Sequence, residues 1–289
     1  MNTPPFDASA ARAAGDAASE IEGDASRRAR LEAVLRGYGR LGVAVSGGVD
    51  SVTLAALAWQ LRLQHGLDVT LFHATSAAVP AAARAVLDDV AAARGWEVVV
   101  LDAGEVEDPA YANNPADRCY FCKSHLFDAV RGRYDGFVCT GANLDDLDDH
   151  RPGRRAAAER GVREPFIEAG FSKADVRALA RALGLPAVAE LPASPCLSSR
   201  VQTGVRIDAP LLRIIDDVER ALRPLAPSTL RFRVRARDVV IEHDGLDEAH
   251  ARSVVVPLLA SARAVLGERV DEVVFAPYRR GSAFLRVVP

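Results

Sequence analysis

Apolar residues along this chain follow two rhythms. Short, mostly apolar runs occur at 41–45, 69–74, 96–101 and 136–141. Runs of that length predict strands buried on both faces. Between them, apolar positions recur at helical spacing, as at Leu31, Val34 and Leu35 within 27–38. The same spacing predicts helices over 51–63, 81–94, 118–134 and 173–183. Ser172 is placed to cap the last of these, and Gly184 and Pro186 to stop it. A short fifth strand is expected at 188–191. Strands alternating with helices predict an α/β fold, a parallel sheet with helices on both faces. Right-handed crossovers set the loops that follow the strands along one edge, where such sheets bind ligands. Loops 46–51, 73–76, 102–108 and 141–149 are therefore expected to converge.

The rhythm changes after residue 201. An amphipathic helix is predicted over 208–222. Alternation over 230–234, a turn at Arg237-Asp238 and an apolar run over 239–242 predict a β-hairpin. A helix over 246–266 and strands at 270–275 and 283–288 complete a small α+β domain. Residues 1–26 are rich in alanine, aspartate and serine without an apolar face, and a disordered tail is expected there. The expected division is thus tail 1–26, main domain 27–201, and a substrate or oligomerisation domain 202–289. A homo-oligomer is expected.

Composition narrows the class. Hydrophobic content of 49% and charged content of 26% are ordinary for a globular protein, and a net charge of −3 gives no global pull toward nucleic acid or anionic lipid. No apolar run approaches a membrane span, and the N-terminus has no apolar signal core. No membrane or nucleic-acid partner and a cytoplasmic location are expected. Four cysteines, two of them in Cys119-x-x-Cys122, then point to thiols or a metal site rather than disulfides.

The first candidate for chemistry is Ser46-Gly47-Gly48-Val49-Asp50-Ser51, between the first strand and its helix. Glycines let backbone approach an anion, and the helix N-terminus attracts it. Ser46 and Ser51 add hydroxyls, and Asp50 suits loop orientation or a metal ion. No Gly-Lys-Ser/Thr follows, so this is not a Walker loop. It resembles the Ser-Gly-Gly-x-Asp-Ser signature of the PP-loop ATP pyrophosphatases, which split ATP between its α and β phosphates.

Cys119 and Cys122 open a predicted helix beside Arg118 and Lys123, a setting that favours thiolates. They could form a redox pair, half of a zinc site, or two ligands of an iron–sulfur cluster. Cys196 lies in a loop between proline and small polar residues. Three cysteines could hold three irons of a [4Fe-4S] cluster and leave the fourth open; they could also be unrelated thiols. Cys139, inside a strand, reads as core.

The segment 140–149 ends a strand in Thr-Gly and continues with clustered aspartates. Gly141 would admit a base or ribose, and an acid such as Asp146 could hold Mg²⁺; a solvated acidic loop is the plainer alternative. Arg151 and Arg154 could bind phosphates or pair with these acids. His73 ends the second strand, as an adenine contact or as packing. Arg231, Arg233, Arg235 and Arg237 alternate and so share one strand face, to grip a phosphate or to meet solvent.

Taken together, segments 46–51, 114–123, 140–146, 150–186 and 192–200 resemble the LarE family of ATP-dependent sulfur transferases. The resemblance covers most of 40–205 and continues more weakly to Glu242. It implies a PP-loop, adenine nucleotide α-hydrolase-like fold and a role in making the nickel-pincer nucleotide cofactor, alongside other proteins of that biosynthesis. The implied substrate is pyridinium-3,5-biscarboxylic acid mononucleotide. ATP adenylates a carboxylate, and sulfur replaces AMP. The resemblance implies ATP at Ser46, Gly47, Gly48, Val49, Asp50 and Ser51, Mg²⁺ near Asp50 and Asp146, and substrate phosphate at Arg233 and Arg235 with Glu242 nearby. Some family members sacrifice the cysteine at the position of Cys196. Others bind a [4Fe-4S] cluster through three cysteines, and the presence of Cys119, Cys122 and Cys196 favours that type. A PP-loop tRNA thiolase is the nearest alternative. An amide-forming synthetase and a metal-stabilised nucleotide-binding regulator are further ones.

Overall fold

The computed structural model describes residues 25–147, 152–271 and 273–279. The expected tail over 1–24, the strand at 283–288, and Asp148, Asp149 and Arg151 lie outside them. Residues 25 and 26, expected in the tail, belong instead to the first helix, α1 (25–37).

The chain then alternates as β1 (Arg40–Ala44), α2 (Val49–His65), β2 (Asp68–Thr75), α3 (Ala81–Arg94) and β3 (Val98–Asp102). A short α4 (Pro109–Ala112) and α5 (Arg118–Arg131) lead to β4 (Phe137–Cys139). The four strands form a parallel sheet in the order β3-β2-β1-β4, the α/β architecture that the alternation predicts. Leu41 lies opposite Phe137 and Val43 opposite Cys139. Cys139 is fully buried, as a core thiol should be.

After β4 come α6 (Pro152–Glu159), α7 (Pro165–Glu168), α8 (Lys173–Ala182) and α9 (Pro186–Ala189). The last corrects an expectation, since 188–191 is not a strand. Pro186 sits at the first helical position, where its fixed φ suits a helix. The carbonyls of Ala189 and Leu191, which a strand would offer to a neighbour, accept instead from the guanidinium of Arg177. Ser172 caps α8 as expected, and Asp175 returns the bond in a full capping box.

Two compact units make up the chain. Among the described residues one holds 25–71, 136–147 and 163–191, and the other 72–135, 152–162, 192–271 and 273–279. In the first, α2 is apolar nearly all round and buries eleven residues from Val49 to Leu61, as a core helix does. The second contains α10 (Ala209–Leu222), β5 (Thr229–Val234), β6 (Val239–Asp244), α11 (Glu248–Ser261), α12 (Arg263–Leu266) and β7 (Val273–Pro277). β5 and β6 form the expected antiparallel hairpin, and β7 joins β6 in parallel. Leu212, Ile215 and Leu222 of α10 pack with Phe232, Val234 and Ile241 in its core. The helix expected over 246–266 breaks at Ala262, and β7 starts at Val273 because a 3-10 turn occupies Gly267–Val270. Among the described residues no single helix is long and apolar enough to cross a membrane.

Candidate active site

The 46–51 loop lies in the first unit. β1 ends at Ala44 and α2 begins at Val49, with Gly48 as an extended N-cap and no side chain capping the helix. Gly47 takes φ +84°, a conformation that favours glycine. The serines order the loop from within. Ser51 Oγ accepts from the backbone N–H of Ser46 at 3.0 Å and donates to the carbonyl of Gly48 at 3.1 Å. Ser46 Oγ lies 3.1 Å from Ser51 Oγ and, with that proton committed to Gly48, is the donor. Ser46 is exposed, whereas Ser51 is buried. The loop therefore presents the Ser46 hydroxyl and the open end of α2, while Ser51 serves mainly as a brace.

Asp50, in the first turn of α2, meets two partners. Lys173 Nζ donates to Oδ2 at 2.5 Å, and Asn143 Nδ2 donates to Oδ1 at 3.3 Å. Asn143 is itself set by the 3-10 turn that follows β4. Its backbone N–H donates to Asp146 Oδ2 at 3.1 Å, and its side-chain oxygen accepts from the Asp145 N–H at 3.2 Å. The backbone N–H of Lys173 donates to Asp145 Oδ2 at 3.3 Å. A Cβ at Gly141 would stand 2.8 Å from the backbone of both Asp50 and Ser51, so its bareness admits the first turn of α2.

The cysteine constellation lies in the second unit. Cys119 is exposed in the first turn of α5, and Cys122 and Cys196 are half-buried against the core. The expected easy deprotonation is corrected for Cys122. Burial pushes its thiol from an ordinary 9.0 up to about 12, and the opposing pull of Lys123 is smaller. The buried Tyr111 feels both Cys196 and Cys122, and its hydroxyl lies 2.5 Å from Ser198 Oγ. Burial, then Cys196, drives that phenol upward.

Arg200 holds the Cys196 segment by its carbonyls. Its Nη1 donates to the carbonyls of Pro195 at 2.7 Å and Cys196 at 3.2 Å. Nε and Nη2 donate to the two carboxylate oxygens of Glu219 at 2.9 and 3.0 Å. Arg200 and Glu219 are almost completely buried.

The arginine stripe is corrected. β5 ends at Val234, so Arg235 and Arg237 fall in the turn rather than on the strand. Arg233 is buried, with Nε 2.9 Å from Glu242 Oε2 and Nη1 2.7 Å from the Ser199 carbonyl. Arg235 reaches the other Glu242 oxygen at 3.9 Å. Glu242 thus stands beside both arginines, and Arg233 gives Nε and Nη1 to protein partners. His73 is buried and lines a cavity of about 440 Å³.

No protein-family model matches the chain. Curated relatives do. An uncharacterised protein of Synechocystis is 36% identical over 214 residues, covering 71% of this chain and 77% of the relative. The pyridinium-3,5-bisthiocarboxylic acid mononucleotide synthase of Lactiplantibacillus plantarum is 33% identical over 220 residues, covering 72% of this chain and 76% of that protein. The chain belongs to the LarE family.

In this LarE-family protein the structure joins residues 46–51, Gly141, Asn143 and Asp146 in one unit and Cys119, Cys122 and Cys196 in the other. Lys173 and Asn143 went unread in the sequence. The signal for Lys173 was its place immediately after the N-cap Ser172, where a cation is uncommon. The loop offers a donor of the kind that the implied Mg²⁺ takes. Asp50 offers a carboxylate whose oxygens retain acceptor capacity, and Mg²⁺ ordinarily needs one or two carboxylates besides phosphate. Among the described residues no three acidic, histidine or cysteine side chains close on a single ion. Cys119, Cys122 and Cys196 lie in the same unit, and in a cluster each iron would take its own thiolate.

Proposed function

We propose that this protein is an ATP-dependent sulfur transferase acting on pyridinium-3,5-biscarboxylic acid mononucleotide. The observation that carries this reading is the uncapped end of α2 behind Ser46, Gly47 and Gly48, with Lys173 beside it, in a relative of the synthase. Backbone N–H groups and the helix dipole favour the β and γ phosphates there. Ser46 donates a hydroxyl hydrogen bond. Lys173 holds its ammonium on Asp50 and can share it with a phosphate oxygen. Asp50 and Asp146 are the carboxylates that would hold Mg²⁺, which screens phosphate charge.

In the first step a substrate carboxylate oxygen bonds to the α phosphorus, and the α–β bond breaks with its electron pair leaving on pyrophosphate. Stabilising that charge is the main demand on the loop. In the second step a sulfur nucleophile bonds to the acyl carbon and AMP departs with its oxygen, leaving a thiocarboxylate. A [4Fe-4S] cluster on Cys119, Cys122 and Cys196 would supply an open iron for sulfide. Cys122 must give up a proton to bind it, against the burial that keeps the thiol neutral. Arg200 fixes the backbone at Cys196 and so aims that ligand.

The test is ATP turnover by anaerobically purified protein with the dicarboxylate mononucleotide or with bulk tRNA as acceptor. Pyrophosphate release that depends on the mononucleotide supports the proposal. Release that depends on tRNA alone would replace it with the thiolase reading.

A further inference from the structure

We propose that Asn114 is the positioning residue that sets the Cys196 segment against the helix bearing Cys119 and Cys122. This rests on the cluster reading above and adds what fixes the spacing of its three cysteines. Cys119 and Cys122 open α5, whereas Cys196 lies far along the chain. Thiolates from two such segments can share a cluster only where something holds the segments in one register.

Asn114 is fully buried and takes φ +52°, a left-handed conformation that asparagine visits more readily than most residues. Both halves of its side-chain amide are used. Oδ1 accepts from Arg118 Nη1 at 3.1 Å. Nδ2 donates to the carbonyls of Gln202 at 2.9 Å and Val205 at 3.0 Å, with the Val201 carbonyl a longer contact at 3.4 Å. A guanidinium only donates and a carbonyl only accepts, so the amide has a single workable orientation. Its two hydrogens match the two short bonds.

Neighbouring groups continue the lacing. The Asn114 carbonyl accepts from the Gly204 N–H at 2.9 Å, and the Ala112 carbonyl from the Ile207 N–H at 2.7 Å. The Tyr111 hydroxyl meets Ser198, just beyond Cys196. One short stretch, 111–114, therefore ties down 198–207, and both lie in the second unit. Arg118 immediately precedes Cys119, so the bonds run from the carbonyls beyond Cys196, through the Asn114 amide, to the start of α5. Aspartate at 114 would keep the Arg118 bond but turn an oxygen on the carbonyls. Glycine would keep the left-handed backbone and lose the amide. Partners that lie behind metal ligands govern how firmly the metal is held.

The test follows iron loss to a chelator from the anaerobically reconstituted full chain, with the electron paramagnetic resonance spectrum of the reduced cluster as a second readout. Asn114→Asp and Asn114→Gly should each lose iron roughly tenfold or more faster than the wild type, with an altered spectrum. Leu259→Ala opens a cavity in the core of the same unit and should lower the melting temperature while leaving both readouts at wild type. That comparison separates lost positioning from general loosening. Wild-type iron retention and spectrum in both Asn114 variants would overturn the proposal and leave the cluster reading standing. Loss confined to one of them would also overturn it, since both lack the donating amide, and so would an equal loss in Leu259→Ala. Wild-type protein that binds no iron would remove the cluster reading and this role with it.

Discussion

Lys173 Nζ lies 2.5 Å from Asp50 Oδ2, so the first turn of α8 is tied to the first turn of α2. A cation is thereby stationed where an anion-binding helix begins. Both side chains keep about a third of their surface in water, 35% for Lys173 and 27% for Asp50. Such a pair contributes little to stability and is free to take a third partner.

Lys173→Ala should therefore separate function from folding. Substrate-dependent pyrophosphate release should fall by roughly 10²-fold, the loss typical of one donor to developing charge. The unfolding free energy should move by less than about 1 kcal/mol. Steady-state kinetics and urea titration on the same preparation check both; an unchanged kcat/KM for ATP would remove Lys173 from the site.

Two glycines should respond differently to alanine. At Gly141 a Cβ would stand 2.8 Å from the Asp50 and Ser51 backbone, which cannot yield without moving the loop. Gly141→Ala should cost roughly 1–3 kcal/mol and displace the loop. At Gly48 the nearest atom is Ser46 Oγ at 3.7 Å, and φ is −85°. Gly48→Ala should leave stability nearly unchanged. Thermal melts of the two variants make the comparison.

The strand–loop–helix and its neighbours were legible because apolar runs and helical spacing report burial directly. The glycines of the 46–51 loop also announce their geometry. What escaped depends on partners far along the chain. A period of two places Arg231 and Arg233 on one face; that Glu242 stands nearby came only from the family resemblance, not from spacing. That residue lies opposite Arg231 in register and bonds diagonally to Arg233. Residues 188–191 look like a strand because they are apolar. The Arg177 side chain that takes their carbonyls is invisible to a local window. That Asp50 and Ser51 approach Gly141 is likewise beyond a local window.

Arg200 and Glu219 form a deeply buried ion pair, at 1% and 3% side-chain exposure. Glu219→Ala would strand a guanidinium that also holds the Pro195 and Cys196 carbonyls. A loss of roughly 3–5 kcal/mol is expected, with faster alkylation at Cys196 as its loop loosens. Denaturant unfolding and peptide mapping after brief iodoacetamide exposure check the two effects. A small stability change with unaltered labelling would show that the pair does not brace the cysteine segment.

Cys122 gives a pH dependence whose sign is fixed. Its folded thiol is raised from 9.0 to about 12, so between those values the unfolded chain has lost a proton that the folded chain keeps. Stability of the metal-free protein should then fall as pH rises from about 9 toward 12. Below that window the contribution is fully present. Cys122→Ser should flatten this part of the profile, as followed by melting temperature against pH. An identical slope in the variant would assign the effect elsewhere.

The most direct measurement is mass spectrometry of small molecules and protein after anaerobic incubation with ATP and the dicarboxylate mononucleotide. The expected result is AMP, pyrophosphate and a mononucleotide in which sulfur has replaced one carboxylate oxygen, with Cys196 intact and iron and acid-labile sulfide bound to the chain. Cys196→Ala should still release pyrophosphate but form no thiocarboxylate. Formation of thiocarboxylate by Cys196→Ala at the wild-type rate would contradict the assignment of sulfur transfer to this segment. Absence of any substrate-dependent AMP from the wild-type protein would contradict the sulfur-transferase function itself.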